Sequence, residues 1–151
     1  MIEDLVETWE INNRACLRLL NDLTPEQFTA PLTKGKSVGA QFAHIHNVRL
    51  MWLKASAPDL YEGMQKMEPG ATAVEIAAAL SASAEPISEL IRRAETPGGR
   101  IKGFKPHAAA FIGYICAHEA FHRAHAELAL RQAAMPVSDK TAYALWEWGV
   151  L

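Results

Sequence analysis

An all-α bundle of four long helices is the fold that this sequence predicts, on three observations. Alternating runs of β-branched residues, the mark of half-buried strands, do not occur. Alanine is abundant in segments whose apolar residues recur every three or four positions. Capping signals and Pro/Gly stops divide the chain into four such segments with connections between them.

The first long helix is expected from Ile2 to about Leu23, because Val6, Trp9, Asn13, Cys16, Leu17 and Leu20 follow helical spacing. Thr24-Pro25-Glu26-Gln27 then supplies a Thr cap, a proline at the first helical position and a glutamine at the third, which predicts one short turn ending near Phe28. Pro31 to Lys36 reads as a loop. Ser37 caps the second long helix, expected to about Ala55, with Phe42, Ile45, Val48 and Trp52 among its apolar positions. Pro58 through Gly70 reads as an irregular connection with room for a helical turn. The capping box Thr72-Ala73-Val74-Glu75 opens the third long helix, which runs to about Arg93 and in which Pro86 is expected to cause a kink or break. Thr96-Pro97-Gly98-Gly99 is a stop. The fourth starts near Pro106 or Ala108 and runs to about Ala133, and Pro136 ends the pattern. The aromatic tail Tyr143 to Trp148 is expected to pack against the bundle.

The 151 residues suit one domain, 1–151, with a full core. Half of them are hydrophobic, 21% are charged and the net charge is −2, which is globular rather than disordered composition. Such a balance gives no general attraction to nucleic acid or to anionic membranes, and neither is expected as a partner. Cys16 and Cys116 lie in apolar helical segments without a Cys-x-x-Cys pairing and read as buried thiols of a reducing compartment. No signal-peptide pattern opens the chain and no apolar stretch is long enough to span a bilayer, so the expected location is cytoplasmic.

The chemistry concentrates in histidines. His118 and His122 are four residues apart, hence one turn apart on one face of the fourth helix. Phe111, Ile115, His118, His122, His125 and Ala129 form a stripe expected to face the bundle interior, where imidazoles need polar partners. Two imidazoles at this spacing can grip one metal ion, and a third from a neighbouring helix completes a site with an open position. His44, beside Val48, Met51 and Ala55, is the expected third ligand. His46 lies about 200° around the helix and is expected at the surface or rim. His107, at the start of the fourth helix, reads as a loop residue at a pocket mouth or plain surface, because the helix dipole disfavours a cation there. Glu119 reads as a solvated or salt-bridged helix residue, or as a proton carrier beside the site.

His118-Glu119-Ala120-Phe121-His122 also satisfies the H-E-x-x-H pattern of zinc metalloproteases. The longer metzincin form needs Gly at 125 and His at 128, where this chain has His125 and Leu128. No strand-rich segment precedes it, so the protease reading is set aside.

On Ser37-x-Gly39 with His44 seven residues after the serine, on His118-x-x-x-His122-Arg123, and on the terminal Leu145-Trp146-Glu147-Trp148-Gly149, the chain resembles the DinB-like (DinB/YfiT) superfamily. The resemblance covers nearly the whole chain. It implies a four-helix bundle with up-down-down-up connectivity, a homodimer, and a divalent metal, commonly zinc or nickel, held by His44, His118 and His122. Members often carry Gly-Gln after the second His-Arg pair, where this chain has Ala124-His125. His125 is therefore a candidate substrate contact, extra ligand or proton carrier, and Glu119 and His125 are the candidate catalytic residues. Family activities include S-transfer and isomerisation with low-molecular-weight thiols.

The expectation is a metal-dependent enzyme acting on a small-molecule substrate, first as an S-transferase with an external thiol and second as a hydrolase with water in the thiol's place. Cys116 is two residues from His118 and points to the other side of its helix, so the chain offers no thiol of its own. A non-catalytic metal-binding or small-ligand-binding stress protein is the alternative of a different class, and a bundle whose histidines only hydrogen-bond is the third. Trp52, Trp146 and Trp148 are the candidate apolar contacts of a dimer.

Overall fold

The computed structural model describes residues 1–151. It is all helical: α1 (Ile2–Asn21), α2 (Pro25–Thr29), α3 (Val38–Ser56), α4 (Pro58–Tyr61), α5 (Ala73–Ala94), α6 (Ala108–Gln132) and α7 (Asp139–Ala144). The long helices α1, α3, α5 and α6 form the bundle. Helices α1 and α6 each pack against α5 or α3 as neighbours, α3 packs on both α5 and α6, and α1 packs on both α5 and α6. The two ends of the core give the directions. One end gathers Val6 and Trp9 from the start of α1, Leu53 from the end of α3, Ile91 from the end of α5 and Phe111 from the start of α6. The other gathers Leu20, Val38, Ile76 and Leu130 from the opposite ends of the same helices. The connectivity is therefore up-down-down-up. Because α3 and α5 run parallel, residues 57–72 must travel back along the bundle between them, which is why that connection is long.

The local signals hold at most boundaries. Thr24 and Gln27 form the capping box of α2, and Thr72 and Glu75 that of α5. The Ser37 hydroxyl accepts from the Ala40 amide at the start of α3. Gly39 has a separate reason: a Cβ there would lie 2.5 Å from the Phe28 ring, so only glycine lets α2 press its aromatic ring onto α3. At the end of α6 the Met135 amide returns to the Leu130 carbonyl around Ala134 at φ +57°, a turn that stops the helix just before Pro136.

Two expectations hold in part: α5 has no break at its proline, and the tail packs on the bundle through Ala144 and Leu145. Helix α5 continues through Pro86 without a break. The carbonyl that Pro86 leaves without a donor is that of Ala82, an exposed residue, where water can replace the lost bond. The tail docks, but not by its tryptophans. Thr141 donates to Asp22 at 2.7 Å and Arg14 donates to the Leu151 carbonyl at 2.7 Å, while Trp146 stays 82% exposed. No helix is long and apolar enough to cross a membrane.

Candidate metal centre

Helices α3 and α6 pack side by side, and that places His44 against His118 and His122. One ligand nitrogen from each ring lies within 4.8 Å of the others. The ring centroids are 4.4 Å apart for His44–His122, 4.6 Å for His118–His122 and 5.5 Å for His44–His118. His122 is buried, whereas His44 and His118 are half-buried, so the cluster sits at the edge of the bundle and not on its axis. The expected inward stripe on α6 is thus only partly interior: Phe111, Ile115, His122 and Ala129 are buried, but His118 and His125 are half-buried.

The cluster is held in the state that coordination requires. Burial depresses His122 first, then the charges of His118, His44 and Lys36, to a pKa of about 4. Burial likewise lowers His118, against the pull of Glu119. It lowers His44 too, with Lys36 and His118 adding to the effect. Neutral imidazoles result, each with a free lone pair.

Gln41, which sequence reasoning passed over, fixes one of them. Its amide nitrogen donates to the Lys36 carbonyl at 3.0 Å, which turns its oxygen toward His122 Nδ1 at 2.7 Å. Nδ1 must therefore carry the proton, and Nε2 keeps the lone pair. The signal was available: Gln41 precedes His44 by three residues, so both project from adjoining positions of α3. His118 supplies the complementary observation. Its Nδ1 is buried and has no hydrogen-bond partner in the protein. An ion shared by the three rings would give His118 a polar partner that the surrounding side chains withhold, so the donor set fits a divalent metal. Replacing Gln41 with alanine should weaken metal affinity about 10–100-fold, the usual cost of losing a ligand's orienting partner. Calorimetric titration of the variant checks this, and an unchanged affinity refutes the role.

The remaining candidates fall elsewhere. Glu119 is fully buried, with both carboxylate oxygens turned away from the cluster. Oε1 accepts from Arg49 Nε at 2.7 Å, and Oε2 accepts from Arg49 Nη2 at 2.9 Å, from Asn12 at 2.7 Å and from the Cys16 thiol at 3.3 Å. His125 donates from Nδ1 to the Phe121 carbonyl at 2.8 Å, and its ring centroid lies 6.5 Å from that of His122. His46, expected at the surface, is 2% exposed. Its ring meets the Ser83 hydroxyl at 3.2 Å and the Gln65 carbonyl at 3.0 Å. It is a satisfied core histidine, made so by α5 and by the connection before it. His107 caps α6, its Nδ1 accepting from the Ala110 amide. Both cysteines are free; Cys16 is buried and Cys116 half-buried. Burial, followed by the Glu119 charge, pushes each thiol up to about 12, so neither is a ready nucleophile.

An up-down-down-up helical bundle with three histidines converging between α3 and α6 defines a class of small helical proteins with a potential metal site. Within that class the chain belongs to the DinB family, whose family model matches residues 1–147. Comparison with curated proteins and with solved structures found no match.

Proposed function

We propose that this protein is a divalent-metal-dependent enzyme acting on a small molecule, with His44, His118 and His122 as the metal ligands and transfer of an external thiol to an electrophile as the reaction. The observation that carries this reading is the convergence of three neutral imidazoles, one of them with an orphaned nitrogen, at a partly open edge of the bundle. Zinc or nickel suits three nitrogen donors. When bound with a coordination position open, such an ion lowers the pKa of a thiol or water and polarises an electrophile.

The chain's own residues do the rest. Gln41 holds the tautomer of His122. Tyr114 stacks on His118 with centroids 6.2 Å apart, and Phe121 lies edge-on to His122 at 5.3 Å, so aromatic rings shield two ligands from water. The thiol is external because Cys16 and Cys116 are protonated and turned into the protein. His125 is the better placed of the two candidate proton carriers: its Nδ1 proton is committed to Phe121, which leaves Nε2 as the acceptor, whereas the oxygens of Glu119 are filled by core donors. A homodimer belongs to the same reading. Exposed Trp146 and Trp148 provide apolar area for it, while Trp52 does not, being packed against Phe104, Phe111 and Tyr114. A monomer by light scattering at micromolar concentration would remove this part.

The test is turnover of an electrophile panel with bacillithiol, mycothiol, glutathione and water, with and without added metal. Metal-dependent turnover with a thiol is expected. Turnover with water alone favours a hydrolase, and no turnover with any nucleophile sinks the enzyme reading in favour of a ligand-binding role.

A further inference from the structure

A cleft of about 760 Å³ lies beside the histidine cluster, and His44 lines it. One wall is the face of α3 at Gly39, Ala40 and Ala43, and the other is the segment 66–71. Asn47 pins that second wall: its amide nitrogen donates to the Met67 carbonyl at 3.0 Å, and its oxygen accepts from the Met67 amide at 2.9 Å. Two cations, Lys36 and Lys66, line the cleft against one carboxylate, Glu68. Neither lysine takes part in an ion pair.

Lys36 stands out because its backbone is tied to the cluster, while its exposed side chain stays free in the cleft. Its backbone carbonyl is held by Gln41, the same side chain that orients His122. A lysine that is unpaired, anchored through one side chain to a candidate ligand, and set in a cleft that ends at another is placed to read the charge of whatever enters.

We infer that Lys36 recognises an acid group on the molecule the metal centre acts on, so that the substrates are anionic organic compounds lying in this cleft with their reactive end at His44. The inference rests on the metal reading above and narrows its substrate class. An ammonium pairs with a carboxylate strongly enough at a half-open site to decide between an acid and its neutral analogue, while the apolar lining of Ala40, Ala43 and Phe28 accommodates the carbon chain between acid and reactive end.

The probes are 3-mercaptopropionate and 2-mercaptoethanol, a thiol acid and a neutral thiol of similar length. Each is titrated into cobalt-loaded protein, with calorimetry to report binding of any kind and the sulfur-to-cobalt absorption band to report the metal–sulfur contact. The acid should bind about tenfold more tightly relative to the alcohol in the parent protein. Lys36→Met should abolish that preference, Lys36→Glu should invert it, and Lys66→Met should leave most of it. Equal affinities in the parent, or a preference that survives Lys36→Met, overturn the inference and leave the metal reading intact. Heat of binding for the acid without the absorption band refutes thiol coordination, while the Lys36→Met comparison still decides the role of the lysine. Failure of both thiols to bind overturns the inference together with the thiol-transfer reading, while cobalt loading by the protein decides the metal ligation separately.

Discussion

Glu119→Ala is expected to lower the free energy of unfolding by about 3–5 kcal/mol, the largest effect of any single substitution outside the apolar core. The reason is the company that Glu119 keeps. Arg49 is 0% exposed, and all three of its guanidinium nitrogens are bonded: two bonds go to Glu119, and Nη1 reaches Asn13 at 2.8 Å, the Leu80 carbonyl at 3.0 Å and Ser83 at 3.3 Å. Its plane also lies over the Trp9 ring, with Cζ 4.6 Å from the centroid. Arg123 donates to Asn12 and to the Cys16 sulfur, extending the network to the edge of the bundle. Helices α1, α3, α5 and α6 all contribute to it. Removing the carboxylate leaves a guanidinium buried with no counter-charge, which costs far more than the hydrogen bonds themselves. Glu119→Gln, which keeps shape and one acceptor, should cost less. Because Arg49 and Glu119 join the two helices that carry the histidines, the alanine variant should also weaken metal binding in proportion to its loss of order. Urea unfolding measures the first effect. A loss below about 1 kcal/mol would show that the pair is dispensable.

His122→Ala should reduce metal affinity by more than the about 10–100-fold expected for Gln41→Ala, since it removes a ligand together with the group that Gln41 orients. His44→Ala and His118→Ala should act in the same direction, and metal stoichiometry in all three variants equal to the parent would refute a shared site. The pH dependence separates this cluster from an exposed one. All three rings have pKa values below the ordinary 6.5, that of His122 falling to about 4. A depressed histidine pKa means that protons bind the unfolded chain more readily than the folded one. The contribution to stability is therefore fully present above 6.5 and is lost as pH falls from there toward the depressed values. Metal binding needs the same neutral rings, so the loss of affinity should be displaced below 6.5, with His122 itself staying neutral until pH nears 4. A decline centred on 6.5 would show that the rings are not desolvated as the structure has them. Removal of metal by a chelator should lower the thermal midpoint of the parent and leave that of His122→Ala unchanged.

Local chemistry by itself determined the helices and the helix-borne half of the site. Capping boxes, a serine cap and apolar spacing act within a turn or two of chain, so the starts of α2, α3 and α5 were readable without any knowledge of their neighbours. The same holds for His118 and His122, which share a face because four residues make about one turn. Tertiary structure decided which groups those faces meet. His46, in an apolar helix, gives no local sign that Ser83 and the Gln65 carbonyl are waiting for it. Placing His44 beside Val48, Met51 and Ala55 and His46 at the surface or rim ranked burial the wrong way round: His46 is the buried one, and His44 stays at the edge where a ligand can be reached. Arg49 shares a face with Phe42, Ile45 and Leu53, and Glu119 with Ile112, Ile115 and Ala126, so two charges on apolar stripes could have been flagged from spacing. Their pairing could not, because it spans 70 residues and exists only once α3 lies against α6. The tail shows the same division: its aromatic residues suggested burial, yet Thr141, Ala144, Leu145 and the Leu151 carbonyl hold it and its tryptophans remain in solvent.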